Sequence, residues 1–250
     1  MRFFLEFSYS GKNYHGWQRQ PNAISVQEVI EDSLKTILRD SISLTAAGRT
    51  DTGVHARQMF AHFDANIEKG IISNLVYELN QFLPHDVVIE SLCPVREEAH
   101  ARFDAISRTY EYHISKYKNA FENDFHYFFK NPLDLELMNK ASKIILDHQD
   151  FKCFSKSNSD VKTYICNISE AYWKNSSQGY IFTISSNRFL RNMVRAIVGT
   201  LLEIGLKKKT LKNLEYILNS RDRSLAGFSA PAKGLFLIEV EYPKSIFLQI

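Results

Sequence analysis

Two stretches of this chain run through the same order of hydrophobic periods, and that repeat limits the available folds more than any single motif. In the first, Phe3, Leu5, Phe7 and Tyr9 alternate as they would on a half-buried strand. Ser25-Val26-Gln27-Glu28 reads as a capping box ahead of Val29, Ile30, Leu34, Ile37 and Leu38 at helical spacing. Strands follow over 42–47 and 58–63, a helix over 73–83 carrying Leu75, Val76, Leu79 and Leu83, and a strand over 87–92. In the second stretch, Tyr110, Tyr112 and Ile114 alternate over 108–115, and Pro132 and Asp134 open a helix bearing Leu135, Met138, Ser142, Ile145 and Leu146. Strands fit 167–174 and 180–185, and the strongest helix runs over 189–204, with Gly205 placed for a left-handed C-terminal cap. A short helix over 210–219 and a strand over 235–242 finish the copy.

The order predicts an α+β fold of two ferredoxin-like (RRM-like) β-α-β-β-α-β halves, residues 1–100 and 101–250. Their antiparallel sheets are expected side by side with helices on one face, leaving open sheet surface for a large ligand. The Ser-, Lys- and Asn-rich stretch 153–163 has no period and is expected to be a mobile surface loop.

Hydrophobic residues make up 44% and charged residues 24%, as in soluble globular proteins. A net charge of +3 permits a nucleic-acid partner without demanding one. Cys93, Cys153 and Cys166 form no CxxC pair, and the eight histidines form no HxxxH or HExxH arrangement. Reduced thiols, a cytoplasmic setting and no structural metal are expected. The N-terminus lacks the apolar core of a signal peptide, and no apolar run approaches the roughly 20 residues of a membrane helix. No GxGxxG or phosphate loop is present, so no cofactor is expected.

Four segments concentrate polar groups. Gly48-Arg49-Thr50-Asp51-Thr52-Gly53-Val54-His55-Ala56 packs a cation, a carboxylate, two hydroxyls and two glycines between strands; it is either a polar turn or a reachable reactive carboxylate. The loop from Asn13 to Gln20 interleaves Tyr14 and Trp17 with Gln18, Arg19 and Gln20, suited to stacking on bases, unless Trp17 folds back on the core. Tyr110 and Tyr112 share a strand face behind Arg108, as core residues or as stacking groups. Arg188, Arg191 and Arg195, read on the strongest helix, fall along one stripe at spacings of three and four. Arg195, set among Met193, Val194, Ala196, Ile197 and Val198, is expected to be partly buried and to need an anionic partner.

These motifs together resemble the TruA-type tRNA pseudouridine synthases. GRTDTGVHA is similar to that family's signature loop, usually GRTDAGVHA. Tyr14, Gly16, Gln18 and Gln20 look like its YxGxQxQ loop. His100-Ala101-Arg102-Phe103 and Arg108-Thr109-Tyr110-Glu111-Tyr112 look like its HARF and RxYxY segments. Phe189-Leu190-Arg191-Asn192-Met193-Val194-Arg195 with Gly199 and Gly205 resembles its FLRxMVRxIVG helix, and Ala230-Pro231 with Gly234-Leu235 its closing strand.

The resemblance implies isomerisation of uridine to pseudouridine in the anticodon stem-loop of tRNA, at positions 38, 39 and 40, by a homodimer. Asp51 would be the catalytic carboxylate, attacking C1′ or removing the C2′ proton, two routes the residues do not separate. Arg195 would pair with Asp51 and keep it ionised. Tyr110 would stack on the target base and help remove the C5 proton, and Arg49 would fill the gap left by the flipped nucleotide. Tyr14, Gln18, Gln20, Tyr110, Arg102 and Arg191 would bind substrate, with Arg19, Arg188 and Lys207 to Lys209 near phosphates. Thr52 stands where the family has alanine. Cys166 stands where it more often has arginine, which bears on an RNA or dimer contact rather than on the chemistry. Two other readings are an RNA-binding protein using Trp17, Tyr110 and Tyr112 as platforms, and a glycoside hydrolase. The second is weakened because only one carboxylate sits in a motif.

Overall fold

The expected alternation of strands and helices is present in the computed structural model, which describes residues 1–156 and 161–248. In chain order the elements of the first half are β1 (Arg2–Tyr9), α1 (Val26–Leu38), β2 (Thr45–Ala46), β3 (His55–Asp64), α2 (Ile72–Phe82) and β4 (Val87–Val95). There follow β5 (Ser107–Ser115), β6 (Tyr127–Phe128), α3 (Leu135–Leu146), β7 (Ile168–Asn175), β8 (Gly179–Ser186), α4 (Met193–Gly205), α5 (Leu211–Ser220) and β9 (Leu235–Glu241). Pairing is mostly antiparallel, and five α-helices occur among the described residues, a mixed α/β architecture consistent with α+β. The chain clusters into two units, Met1–Ser107 with Phe236–Ile250, and Arg108–Leu235. Among the described residues no helix is long and apolar enough to cross a membrane.

In the first unit β1 is central, flanked by β4 and β3, both antiparallel to it. The other edge of β3 is shared: β2 pairs antiparallel at Ala61 and His62, and β9 pairs parallel at His55 and Ala56. The expected strand over 42–47 thus shortens to two residues, although Ile42 and Leu44 are still buried. β1 is not half-buried as its alternation suggests. Phe3, Leu5 and Phe7 are fully buried, and so is Phe4 on the opposite face. Residues after β9 cover that second face: the Phe4 ring meets Tyr242 at 5.0 Å and Phe247 at 6.0 Å, both edge-on. Edge-to-face pairs add about 0.5–1.5 kcal/mol to the burial of the rings themselves.

α1 starts where the sequence places it. The Ser25 hydroxyl accepts from the Glu28 amide at 3.3 Å. The amides of Val26 and Gln27 donate to the carbonyls of Gly16 and Trp17, at 3.2 and 3.0 Å. Two donors that a helix N-terminus leaves orphaned are therefore used to anchor the 13–20 loop.

In the second unit β8 lies between β5 and β7, antiparallel to both, and β6 adds to β5 in parallel. α3, capped by Asp134 accepting from the Leu137 amide at 3.0 Å, packs on β7, α4 and α5. α4 is almost wholly buried.

Three expectations change here. α4 begins at Met193, after Asn192 at φ +66°, so Arg188 and Arg191 precede the helix and only Arg195 of the three lies on it. Gly205 is the last helical residue, and the left-handed conformation falls on Lys207 at φ +60°. A Cβ on Gly205 would stand 2.5 Å from Met138 Sδ, so glycine serves the close approach of α4 to α3 rather than a cap. Finally, Cys153, Phe154 and Ser155 are buried rather than in a mobile loop, and positions 157–160 of that stretch lie outside the described residues.

Candidate active site

The loop around Asp51 is a turn, and a firmly held one. The Val54 N–H donates to the Asp51 carbonyl at 3.1 Å, and Gly53, third of the four residues, has φ +77°. That positive φ belongs to a type II turn and suits glycine there. The Asp51 side chain is partly exposed, while Thr50 before it and Val54 after it are buried.

Three neighbours pin the turn. The hydroxyls of Tyr9 and Thr50 share a buried hydrogen bond at 2.8 Å. The Trp17 N–H donates to the Thr50 carbonyl at 3.3 Å. Gly16, at φ +89°, lies so close that a Cβ there would be 2.5 Å from the Thr50 carbonyl oxygen. On the far side, Gly11 approaches Val54, its Cβ position 2.0 Å from the Val54 carbonyl oxygen, and its N–H donates to His55 Nδ1 at 3.0 Å. The His55 ring stacks on Phe236 of β9 at 4.7 Å. A rigid backbone thus carries a partly open carboxylate, a group able to act as nucleophile or base without first being ordered.

Arg195 has an equally built surrounding in the second unit. Its Nε donates to the Ala230 carbonyl at 2.7 Å, and the Ala230 N–H donates back to the Arg195 carbonyl at 3.0 Å. The segment Gly227-Phe228-Ser229-Ala230 lies along α4. The Gly227 N–H donates to Thr200 Oγ1 at 2.8 Å, and a Cβ on Gly199 would overlap the Phe228 carbonyl oxygen at 1.8 Å. Arg223 donates to the Gly227 carbonyl and to Ser229 Oγ, both at 3.0 Å, and Asn192 Nδ2 reaches the same hydroxyl at 2.7 Å. On β5 the partly exposed Tyr110 ring meets Phe189 edge-on at 5.1 Å.

The family model described as tRNA pseudouridine synthase matches residues 7–104 and 143–243, which hold both the pinned Asp51 turn and the Arg195 helix. The chain belongs to the tRNA pseudouridine synthase family. The tRNA pseudouridine synthase A of Bacteroides fragilis is 47% identical over 247 residues, 98% of each chain. That of Porphyromonas gingivalis is 46% identical over 250 residues, 99% of each chain. That of Acetivibrio thermocellus is 39% identical over 241 residues, covering 95% of this chain and 98% of the relative.

The residues singled out by family likeness divide between the units. Tyr14, Gln18, Gln20, Arg49, Asp51 and Arg102 belong to the first, and Tyr110, Arg191 and Arg195 to the second. Arg49 is exposed at the edge of the turn. Tyr14 is buried, with its hydroxyl donating to Asp86 at 2.5 Å; burial and that carboxylate push its pKa up. Gln18 Nε2 donates to Gln27 of α1 at 2.9 Å, and Gln20 Nε2 to the His15 carbonyl at 2.9 Å. Arg19 lies against Glu28, Glu31 and Asp32 of α1.

Two supposed stacking groups are core. Trp17 is 2% exposed and stacks on Phe7 at 5.3 Å, and Tyr112 is fully buried with its hydroxyl donating to the Pro231 carbonyl at 2.8 Å. Burial pushes the thiols of Cys153 and Cys166 up to about 12 and about 11, which makes them inert. Among the described residues no group of three His, Cys, Asp or Glu side chains is placed to hold a metal ion. Thr200, Arg223 and Ser229 escaped the sequence reading, as did the bond between Tyr9 and Thr50. Alternation marked Tyr9 as a core residue, but no local pattern says that its hydroxyl meets a residue 41 positions away.

Proposed function

We propose that this protein converts uridine to pseudouridine in tRNA with Asp51 as the catalytic residue, and the observation that carries the proposal is the pinned turn holding that carboxylate within the family match. The C1′–N1 bond breaks, the uracil rotates and C1′–C5 forms; the C5 proton leaves and N1 gains one, with no redox change and no cofactor. Asp51 starts the exchange by attacking C1′ or by removing the C2′ proton. Arg195 supports Asp51 in the reaction, as the likeness to the family implies. Tyr110 stacks on the target base and assists loss of the C5 proton, and Arg49 occupies the space the flipped nucleotide vacates.

The substrate is the anticodon stem-loop at positions 38, 39 and 40. Gln18, Gln20, Arg102 and Arg191 contact the RNA, and Tyr14 supports that surface from beneath its loop. The enzyme acts as a cytoplasmic homodimer. Residues 1–100 carry the catalytic loop and 101–250 complete the site, each half a ferredoxin-like module. Supporting that reading of the first half are the element order β1-α1-β2-β3-α2-β4 and the pairing of β1 between β3 and β4, with β2 beyond β3. The burial of Trp17 and Tyr112 removes two of the three platforms that a purely RNA-binding reading relied on.

Incubation of unmodified tRNA with wild type and with Asp51→Ala, followed by mapping of pseudouridine in the anticodon arm, tests the proposal. Modification by the wild type alone is expected. Modification that persists in Asp51→Ala sinks the role of Asp51, and none with either protein sinks the activity.

A further inference from the structure

The loop that follows β4 presents an aromatic ring to solvent on an unusually well-tied scaffold. Phe103 is 74% exposed, although the backbone on either side of it is fixed. The Arg102 and Phe103 amides donate to His100 Nδ1 at 3.1 and 3.4 Å. The His100 amide donates to Asp104 Oδ2 at 2.7 Å, and the Asp104 amide to the His100 carbonyl at 3.1 Å. The Ala101 amide donates to His62 Nδ1 of β3 at 3.1 Å, the Tyr242 hydroxyl donates to the Ala101 carbonyl, and Arg2 Nη1 donates to the Ala99 carbonyl at 3.1 Å.

The rings continue the same construction outward. His62 meets His100 at 4.6 Å and His100 meets Phe103 at 4.2 Å, with the Arg102 guanidinium carbon 5.7 Å from the Phe103 ring centre. A lone exposed phenylalanine on a surface is ordinary. One held by this many contacts beneath it has already given up its loop's conformational freedom, so a partner that stacks on it orders almost nothing. A ring that is 74% exposed, with a guanidinium over it, matches an unpaired nucleobase and its phosphate.

We infer that Phe103 is a stacking platform for an unpaired base of the RNA substrate, with Arg102 beside it for the phosphate and with His62 and His100 as positioning residues. The inference rests on the reading that tRNA is the substrate, and it adds a contact distant in sequence from the Asp51 turn.

The test is titration of labelled unmodified tRNA with wild type, Phe103→Ala, Phe103→Leu and Phe103→Trp, alongside thermal melting and sedimentation of each protein. Loss of one base stack corresponds to about 5- to 150-fold weaker binding. That loss is expected for both Ala and Leu, with Trp close to wild type, melting temperature and oligomeric state unchanged, and the salt dependence of binding unaltered. Wild-type affinity in the Ala or the Leu variant overturns the platform, as does an Ala variant that changes oligomeric state while binding tRNA normally. A wild-type protein that neither binds nor modifies tRNA removes the underlying reading instead, so the two failures are distinguishable.

Discussion

The Tyr9 hydroxyl and the Thr50 hydroxyl lie 2.8 Å apart in a buried position, one residue before Asp51. β1 and the Asp51 turn are thereby joined by a side-chain bond as well as through the 13–20 loop. Removing the phenolic oxygen leaves the ring's packing intact and deprives Thr50 of a partner. Tyr9→Phe is expected to lower stability by about 1 kcal/mol. Pseudouridine turnover should fall several-fold with tRNA affinity unchanged, because the variant loosens the carboxylate and not the RNA surface. Thermal melting and steady-state kinetics separate the two effects; a weakened affinity with normal turnover would contradict the assignment.

Gly16 combines a positive φ of 89° with a Cβ position 2.5 Å from the Thr50 carbonyl oxygen. An alanine there meets backbone strain and a clash with atoms that cannot rotate away. Gly16→Ala is expected to cost about 2 kcal/mol or more and to displace the turn. Gly48, whose Cβ position has open space around it, serves as the control: Gly48→Ala should melt close to wild type. Equal melting temperatures for the two variants would refute the close-packing account.

His62 sets a pH dependence. Burial, then the charges of His100 and Arg2, lowers its pKa from the ordinary 6.5 to about 4, with Asp64 opposing, and its neutral Nδ1 accepts the Ala101 amide. His100, also desolvated, shifts in the same direction. As pH falls, the unfolded chain takes up the His62 proton near 6.5 and the folded protein only near 4. Between those values the unfolded state binds more protons, so stability present above 6.5 is lost as pH drops toward 4. His62→Gln keeps an acceptor and removes the titration. Its melting temperature should fall less than that of wild type between pH 7 and about 4.5, and an equal fall would rule out the contribution.

Arg223 makes two hydrogen bonds to the segment that lies along α4, one to Gly227 and one to Ser229. That segment also carries Ala230, the partner of Arg195 Nε. Arg223→Met keeps most of the aliphatic stem and loses both bonds, at an expected cost of about 1–2 kcal/mol. Turnover should fall more than tRNA affinity, since Arg195, proposed to support the reaction, loses its alignment. Single-turnover rates and equilibrium binding on the same preparation check this; loss confined to affinity would place Arg223 in the RNA surface instead.

Local signals in the chain were strong wherever a few neighbouring residues suffice. Ser25 and Asp134 mark helix starts that the structure keeps, because a cap depends on one side chain and an amide three residues on. The Asp51 turn was visible as Asp-Thr-Gly, and Gly53 takes the positive φ that such a turn requires. The start of α4 was not visible, because the apolar run from Phe189 onward reads the same whether or not its first turn is helical. Asn192 in a left-handed conformation ends that run on the N-terminal side and separates Arg188 and Arg191 from Arg195.

By itself the sequence determined the alternating layout, the helix caps, the polar turn around Asp51 and, through its motifs, the family. The tertiary structure alone decided which aromatic residues are core and which face solvent, for that depends on contacts between distant segments. Trp17 is buried because Phe7 lies beneath it, and Phe4 is buried because Tyr242 and Phe247 return to cover it. Phe103 stays open because its loop is tied from below by His62, Ala101 and Tyr242. Period and spacing report the faces of one element; the partner that covers a face is supplied by chain folded against it from elsewhere, and only the folded chain shows which face is covered.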